Sequence, residues 1–126
     1  MIDVDNFKQV NDTWGHPCGD LVLKEIARLL SDEKRDSDLL ARYGGEEFLL
    51  LMNGITPEDA KKRAEKLRTT IAHHIFSWMD TRIPVTISLG ISSRKGTEVS
   101  QITDLIAESD KLLYVAKGNG KNQVVS

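Results

Sequence analysis

The stretch LLARYGGEEFLLLM, residues 39–52, decides how the chain is read. Two apolar runs, Leu39-Leu40-Ala41 and Phe48 to Met52, flank Gly44-Gly45 and the adjacent carboxylates Glu46 and Glu47. Apolar runs joined by two glycines predict a β-hairpin closed by a two-residue primed turn. Glycines at the tip let a large flat ligand lie against the backbone. The glutamates beside it offer acceptor oxygens that suit a hard divalent cation.

Working outward, Asp20 to about Glu33 repeats apolar residues at helical spacing through Leu23, Ile26, Ala27 and Leu30. Thr56-Pro57-Glu58-Asp59 is a helix start, with a hydroxyl cap, proline in the first turn and acids near the positive end of the helix dipole. That helix is expected to run to roughly His74. From Pro84 to Ser93, Val85, Ile87, Leu89 and Ile91 alternate with small polar residues, the period of a strand with one apolar face. Ile102, Leu105, Ile106, Leu112, Leu113 and Ala116 lie on one face of a final helix ending near Gly118, with Ser109 at a small position. Short strands are expected at Ile2 to Val4 and around Val124, and a loose loop at Ser77 to Arg82. A hairpin mixed with crossover helices predicts an α+β fold with a mixed central sheet flanked by helices.

The 126 residues suffice for one core, so residues 1–126 are read as one domain. Hydrophobic residues at 40% and charged residues at 29% disfavour disorder and membrane spanning. A net charge of -2 gives no overall attraction to a nucleic acid polymer or an anionic membrane. One cysteine, Cys18, allows no internal disulfide and fits a reducing cytoplasm. Carboxylates within the first five residues leave little chain for a strand ahead of them, which predicts that upstream sequence is missing.

Alternation places Asp3 and Asp5 on one face of the first strand. If that strand lies beside the hairpin, one carboxylate from each would share a Mg²⁺, with the Val4 carbonyl as a further oxygen ligand. The plainer reading is two solvated acidic strand ends, since ion pairs also gather carboxylates. Asn11 and Asp20, nine residues apart, have the acceptor and amide groups to read a guanine edge, although turns and helix caps are commoner uses of these side chains. Lys117 and Lys121, in AKGNGKN, carry ammonium groups that suit phosphate oxygens, whereas a lysine at a helix end is by default a surface residue. No P-loop motif is present. His73 and His74 read as surface; Trp14, Met52 and Trp78 read as packing.

Three segments, FKQVNDTWGHPCGD (7–20), RYGGEEF (42–48) and YVAKGNGKN (114–122), closely resemble the GGDEF family of diguanylate cyclases. RYGGEEF is specific when D-x-D-x-F-K-x-x-N-D precedes it by about forty residues, as here. The resemblance implies a fold related to the class III nucleotidyl cyclases, the ferredoxin-like palm. It implies condensation of two GTP into cyclic di-GMP and two pyrophosphates, with Mg²⁺ or Mn²⁺, two per half-site. Asp3, the Val4 carbonyl and Glu46 would then hold metal with Glu47 assisting, and Glu46 would help deprotonate the attacking 3′-hydroxyl. Asn11 and Asp20 match guanine readers, and Phe7, His16, Gly44 and Gly45 line the substrate region. Lys8, Lys117 and Lys121 match phosphate contacts; Lys121 stands where arginine is frequent and lacks its bidentate fork.

The product is two-fold symmetric and one hairpin presents one GTP, so a homodimer is expected. Arg35-Asp36-Ser37-Asp38 matches the family's RxxD inhibitory product site, in which Arg35 forks onto phosphate or guanine and Asp38 accepts from guanine. Lys66 replaces the family's secondary arginine there. The family's upstream helix, most of its first strand and a sensor or regulatory domain are expected beyond this chain. The competing reading is a receptor that binds cyclic di-GMP at Arg35 and Asp38 without catalysis.

Overall fold

The first strand is only three residues long, yet it sits at the centre of the sheet. In the computed structural model, which describes residues 1–96 and 101–126, β1 (Ile2–Val4) is followed by α1 (Phe7–Trp14), α2 (His16–Glu33), β2 (Leu39–Arg42) and β3 (Glu47–Leu51). Then come α3 (Pro57–His73), β4 (Phe76–Trp78), β5 (Thr81–Ile83), β6 (Ile87–Gly90), α4 (Ile102–Gly118) and β7 (Val124–Val125). The main sheet has the order β2-β3-β1-β6-β7. Only the β6–β7 pair is parallel, so the sheet is mixed and the fold is α+β, as expected.

Strand β1 is tied on both sides, with Asp3 opposite Glu47 on β3 and opposite Ser88 on β6. Met1 exchanges backbone bonds with Gly90 at 2.8 and 2.9 Å. Because side chains alternate across a strand, Ile2 and Val4 face one side with Phe48, Ile87 and Leu89, while Asp3 faces the other. The apolar side packs on Val22, Ile26 and Leu30 of α2 and Leu67 and Ile71 of α3. Cys18, fully buried, belongs to this core, and burial pushes its thiol up, which makes it a packing residue.

Helix α4 covers the other side. Its contact with β6 depends on Gly90: a Cβ there would lie 2.1 Å from the Ser109 carbonyl oxygen and 2.3 Å from the Leu113 nitrogen. Both are backbone atoms that cannot turn aside. Gly90→Ala is therefore expected to cost about 3 kcal/mol of stability, the upper part of the range for overpacking. A urea denaturation midpoint unchanged from that of the unaltered chain would contradict this close approach.

Helix α3 starts at the predicted cap, with the Asp59 N–H donating to Thr56 Oγ1 at 3.1 Å. Helix α2 begins four residues earlier than the apolar stripe indicated, at His16, because Pro17 sits in its first turn and needs no donor partner. The expected loose loop at 77–82 is instead a tight β4–β5 hairpin, with Met79 and Asp80 both at positive φ. His74 is not a free surface residue: its Nε2 lies 2.9 Å from Glu25 and its ring meets Phe76 edge-on. Among the described residues, no helix is long and apolar enough to cross a membrane.

Candidate active site

The glycine tip differs from the expected primed turn. Residues 43–46 connect β2 to β3, and neither Gly44 nor Gly45 has a positive φ. The connection is shaped by hydrogen bonds instead: the N–H groups of Tyr43 and Gly44 donate to the Glu47 carbonyl at 2.8 and 3.3 Å. Arg42 Nη2 donates to the Gly45 carbonyl at 2.7 Å, and its Nε reaches the Gly44 and Gly45 carbonyls at 3.2 Å each. A Cβ on Gly44 would lie 2.7 Å from Glu47 Oε2, the movable end of a side chain, while Gly45 is open on its side-chain face. Arg42 thus holds both carbonyls of the tip, a role its sequence position beside the motif did not disclose.

Strand pairing brings the two acidic regions together. Asp3 faces Glu47 across the β1–β3 ladder, and the Val4 N–H donates to the Glu46 carbonyl at 3.1 Å. Asp3 is buried, and Lys117 from the end of α4 donates to its Oδ1 at 2.8 Å. Burial, then the charge of Asp5, raise the Asp3 pKa against the opposing pull of Lys117. Burial also raises Glu46, and the charges of Asp3 and Glu47 add to it. Burial works to lower the Lys117 pKa, but its bond to Asp3 and the charges of Asp3, Glu46 and Asp5 outweigh that and leave it raised.

These shifts describe carboxylates that repel one another around one ammonium group. A hard cation would relieve the same repulsion, so the donor chemistry fits Mg²⁺, which commonly takes one or two protein carboxylates and fills its shell with water and phosphate oxygens. Among the described residues no three His, Cys, Asp or Glu side chains converge in metal-binding geometry.

Asp5 does not share that role. Its oxygens accept from Thr86 Oγ1 at 2.7 Å, Ser88 Oγ at 2.6 Å and the Asn122 N–H at 3.0 Å. This buried carboxylate fastens the end of β1 to β6 and to the turn after α4. In that turn Lys121 and Asn122 both have positive φ, a costly conformation for residues with a Cβ. The Lys121 N–H donates to the Ala116 carbonyl at 3.1 Å, and Arg68 donates to Asn122 Oδ1 at 2.9 Å. Lys121 Nζ donates to Asn6 Oδ1, so the lysine is aimed back toward the start of α1.

Helices α1 and α2 place the remaining residues. A Cβ on Gly19 would lie 1.9 Å from Asn11 Oδ1 and 3.0 Å from the Phe7 ring, so glycine lets α2 press onto Asn11. Asn11 Oδ1 is buried without a hydrogen-bond partner. Asp20, next to Gly19, is exposed, as are His16 and Lys8. Phe7, expected among substrate contacts, has its ring in the core beneath Asn11. An apolar groove between the ends of β3 and β6 and the start of α4 has a volume of about 820 Å³ and contains none of the expected metal or guanine residues.

The Arg35–Asp38 segment lies apart from this cluster. Arg35 is exposed, but the Asp38 side chain is fully buried: its Oδ2 accepts from Arg63 Nη2 at 2.7 Å and from the Arg35 N–H at 2.9 Å. Its carboxylate therefore faces inward rather than toward a ligand, because Arg63, unremarked in the sequence, neutralises it from α3. Lys66 is exposed and bonds Glu33 Oε2 at 2.6 Å.

Burial works against ionisation of Asp38, but the Arg63 hydrogen bond, the Arg35 N–H and the two cationic charges hold its carboxyl below the usual range. Such a group contributes stability that is fully present above the ordinary carboxylate pKa and is lost as pH falls through the lowered folded value. The stability difference between the unaltered chain and Asp38→Asn should be full near neutrality and shrink below about pH 4. A difference that stays constant down to about pH 2 would remove the assignment.

The family model for "Diguanylate cyclase, GGDEF domain" matches residues 1–123. The chain is 40% identical over 124 residues to Diguanylate cyclase A of Treponema denticola, covering 98% of this chain and 33% of that protein. It is 41% identical over 127 residues to the response regulator PleD of Caulobacter vibrioides, covering 99% of this chain and 28% of that protein. It thus spans about a third or less of these relatives. The GGDEF domain of DgcB from Caulobacter crescentus, solved with c-di-GMP, superposes with a TM-score of 0.92 at 29% identity, covering 98% of this chain and 73% of that one. The active GGEEF domain of a diguanylate cyclase from Vibrio cholerae superposes with a TM-score of 0.88 at 36% identity, covering 98% and 78%. With the family model spanning nearly its whole length, the chain belongs to the GGDEF family of diguanylate cyclase domains.

Proposed function

We propose that the chain is the catalytic domain of a diguanylate cyclase, joining two GTP into cyclic di-GMP with release of two pyrophosphates. The observation that carries this is the cluster of Asp3, Glu46 and Lys117 beside a glycine tip whose carbonyls are held by Arg42. Asp3, the Val4 carbonyl and Glu46, with Glu47 assisting, would hold Mg²⁺ or Mn²⁺, two per half-site. When bound, the ions favour ionisation of the attacking hydroxyl and neutralise charge on the leaving pyrophosphate.

The side chains supply the rest. Asn11, whose buried Oδ1 is unsatisfied, and Asp20 bind the guanine edge; a ligand donor would satisfy that oxygen. His16 flanks the base, and Phe7 supports Asn11 from the core. Gly44 and Gly45 leave room for the nucleotide, while Lys8, Lys117 and Lys121 bind its phosphates. Glu46 accepts the proton of the 3′-hydroxyl. The 3′-oxygen of that GTP then forms the new bond to the α-phosphorus of the facing GTP as the α–β bridging bond breaks and pyrophosphate departs.

Each chain offers one such half-site, so a homodimer brings two nucleotides together. The chain's place is in the cytoplasm, under the control of a sensor or regulatory domain in a larger protein. Arg35, exposed and with its guanidinium engaged in no ion pair among the described residues, is the contact for product binding. Incubation with GTP and Mg²⁺, then ion-exchange separation, is expected to yield cyclic di-GMP, with a rate per chain that rises with dilute protein concentration. A linear or mononucleotide product would overturn the reaction. A rate per chain independent of dilution would overturn the dimer.

A further inference from the structure

The turn from Arg35 to Asp38 is closed at both ends. The Asp38 N–H donates to the Arg35 carbonyl at 3.0 Å, and the Arg35 N–H donates back to Asp38 Oδ2. Arg63 Nη2 completes the arrangement, reaching Asp38 at 2.7 Å and the Glu33 carbonyl at the end of α2 at 3.3 Å. One guanidinium therefore joins α3, the end of α2 and this turn.

A buried ion pair of this kind is a poor source of net stability, because both charges lose water. Asp38 Oδ1 and Arg63 Nη1 are in addition buried without partners, so the pair is not optimised for stability. What it does fix is the direction in which the turn projects Arg35. We propose that Arg63 is a positioning residue for cyclic di-GMP: paired with Asp38, it holds the 35–38 turn so that the Arg35 guanidinium meets the ligand. This rests on the reading of Arg35 as a product contact.

The test is calorimetric titration of cyclic di-GMP into the unaltered chain and into Arg63→Met, Arg63→Lys, Asp38→Asn and the Arg63→Met/Asp38→Asn double variant, each checked for folding by thermal melting. Arg63→Met should weaken binding about tenfold, the value of one charge-assisted bond lost in positioning, and Arg63→Lys should recover part of it. In the Asp38→Asn background, Arg63→Met should change affinity by less than about twofold, because residues that act as a unit are not additive.

Unchanged affinity in a folded Arg63→Met variant would overturn the proposal, as would losses that multiply in the double variant. Should Arg63→Met alone fail to fold, with Asp38 left as an uncompensated buried charge, the comparison of Asp38→Asn with the double variant decides. Equal affinities support the coupling and a weaker double overturns it. No binding by the unaltered chain would instead remove the product-site reading itself, together with the role drawn from it.

Discussion

Glu46→Gln is expected to abolish GTP condensation, with a loss on the order of 10²–10³-fold or more, while the protein stays folded. The amide keeps the volume of the carboxylate but loses the charge that a hard cation requires and the basicity that the 3′-hydroxyl requires. The fold should be indifferent because Glu46 owes its position to its backbone, whose carbonyl accepts the Val4 N–H. Its raised pKa means that, once ionised, it is a burden on the folded state from the ordinary carboxylate range upward. The variant should therefore melt at the same temperature as the unaltered chain, or slightly above it, at neutral pH. Cyclic di-GMP formation measured beside a thermal melt separates the outcomes: retained turnover refutes the catalytic assignment, and a lower melting temperature refutes the account of its burial.

Lys117→Gln should produce two opposite effects. Turnover should fall by on the order of 10²-fold, since a phosphate loses a cationic partner in a shielded site. Metal binding in the absence of nucleotide should tighten, by about tenfold at roughly pH 8, because Lys117 now occupies Asp3 Oδ1 and must yield it to an incoming ion. Titration with Mn²⁺ alone, followed by magnetic resonance of the free ion, reads this directly. The rise in melting temperature on adding Mn²⁺ should also be larger in the variant, because the ion then replaces a missing counter-charge. Equal Mn²⁺ affinity in the two proteins would show that the lysine does not compete for Asp3. Tighter binding in the variant would link two events in the unaltered chain: a nucleotide that drew Lys117 onto its phosphates would also free Asp3 for metal.

What could be read from the sequence was what local chemistry fixes. Thr56-Pro57 places the start of α3 because a cap and a first-turn proline act within a few residues. The alternation from Val85 to Ile91 places β6, although its ladder narrows to Ile87–Gly90. The association of Asp3 with the tip followed from strand character and the family motif together. What stayed hidden was tertiary. Met79 and Asp80 carry no strong turn signal, so the β4–β5 hairpin read as a loop. The glycines suggested a primed turn, whereas the guanidinium of Arg42 and the Glu47 carbonyl shape the tip without left-handed glycines. Asp38 read as a ligand acceptor because its partner Arg63 lies 25 residues away on another helix. Asp5 and Asp3 looked equivalent by alternation, and only the hydroxyls of Thr86 and Ser88 separate their roles.

The bond from Lys117 to Asp3 spans 114 residues and that from Asn122 to Asp5 spans 117. Contacts of such separation form late in folding, after the long intervening loop has been closed. During synthesis the glycine tip, Asn11 and Asp20 leave the ribosome well before α4, and so they exist for a time without Lys117 and Lys121. A nascent chain at that stage lacks the ammonium that balances Asp3.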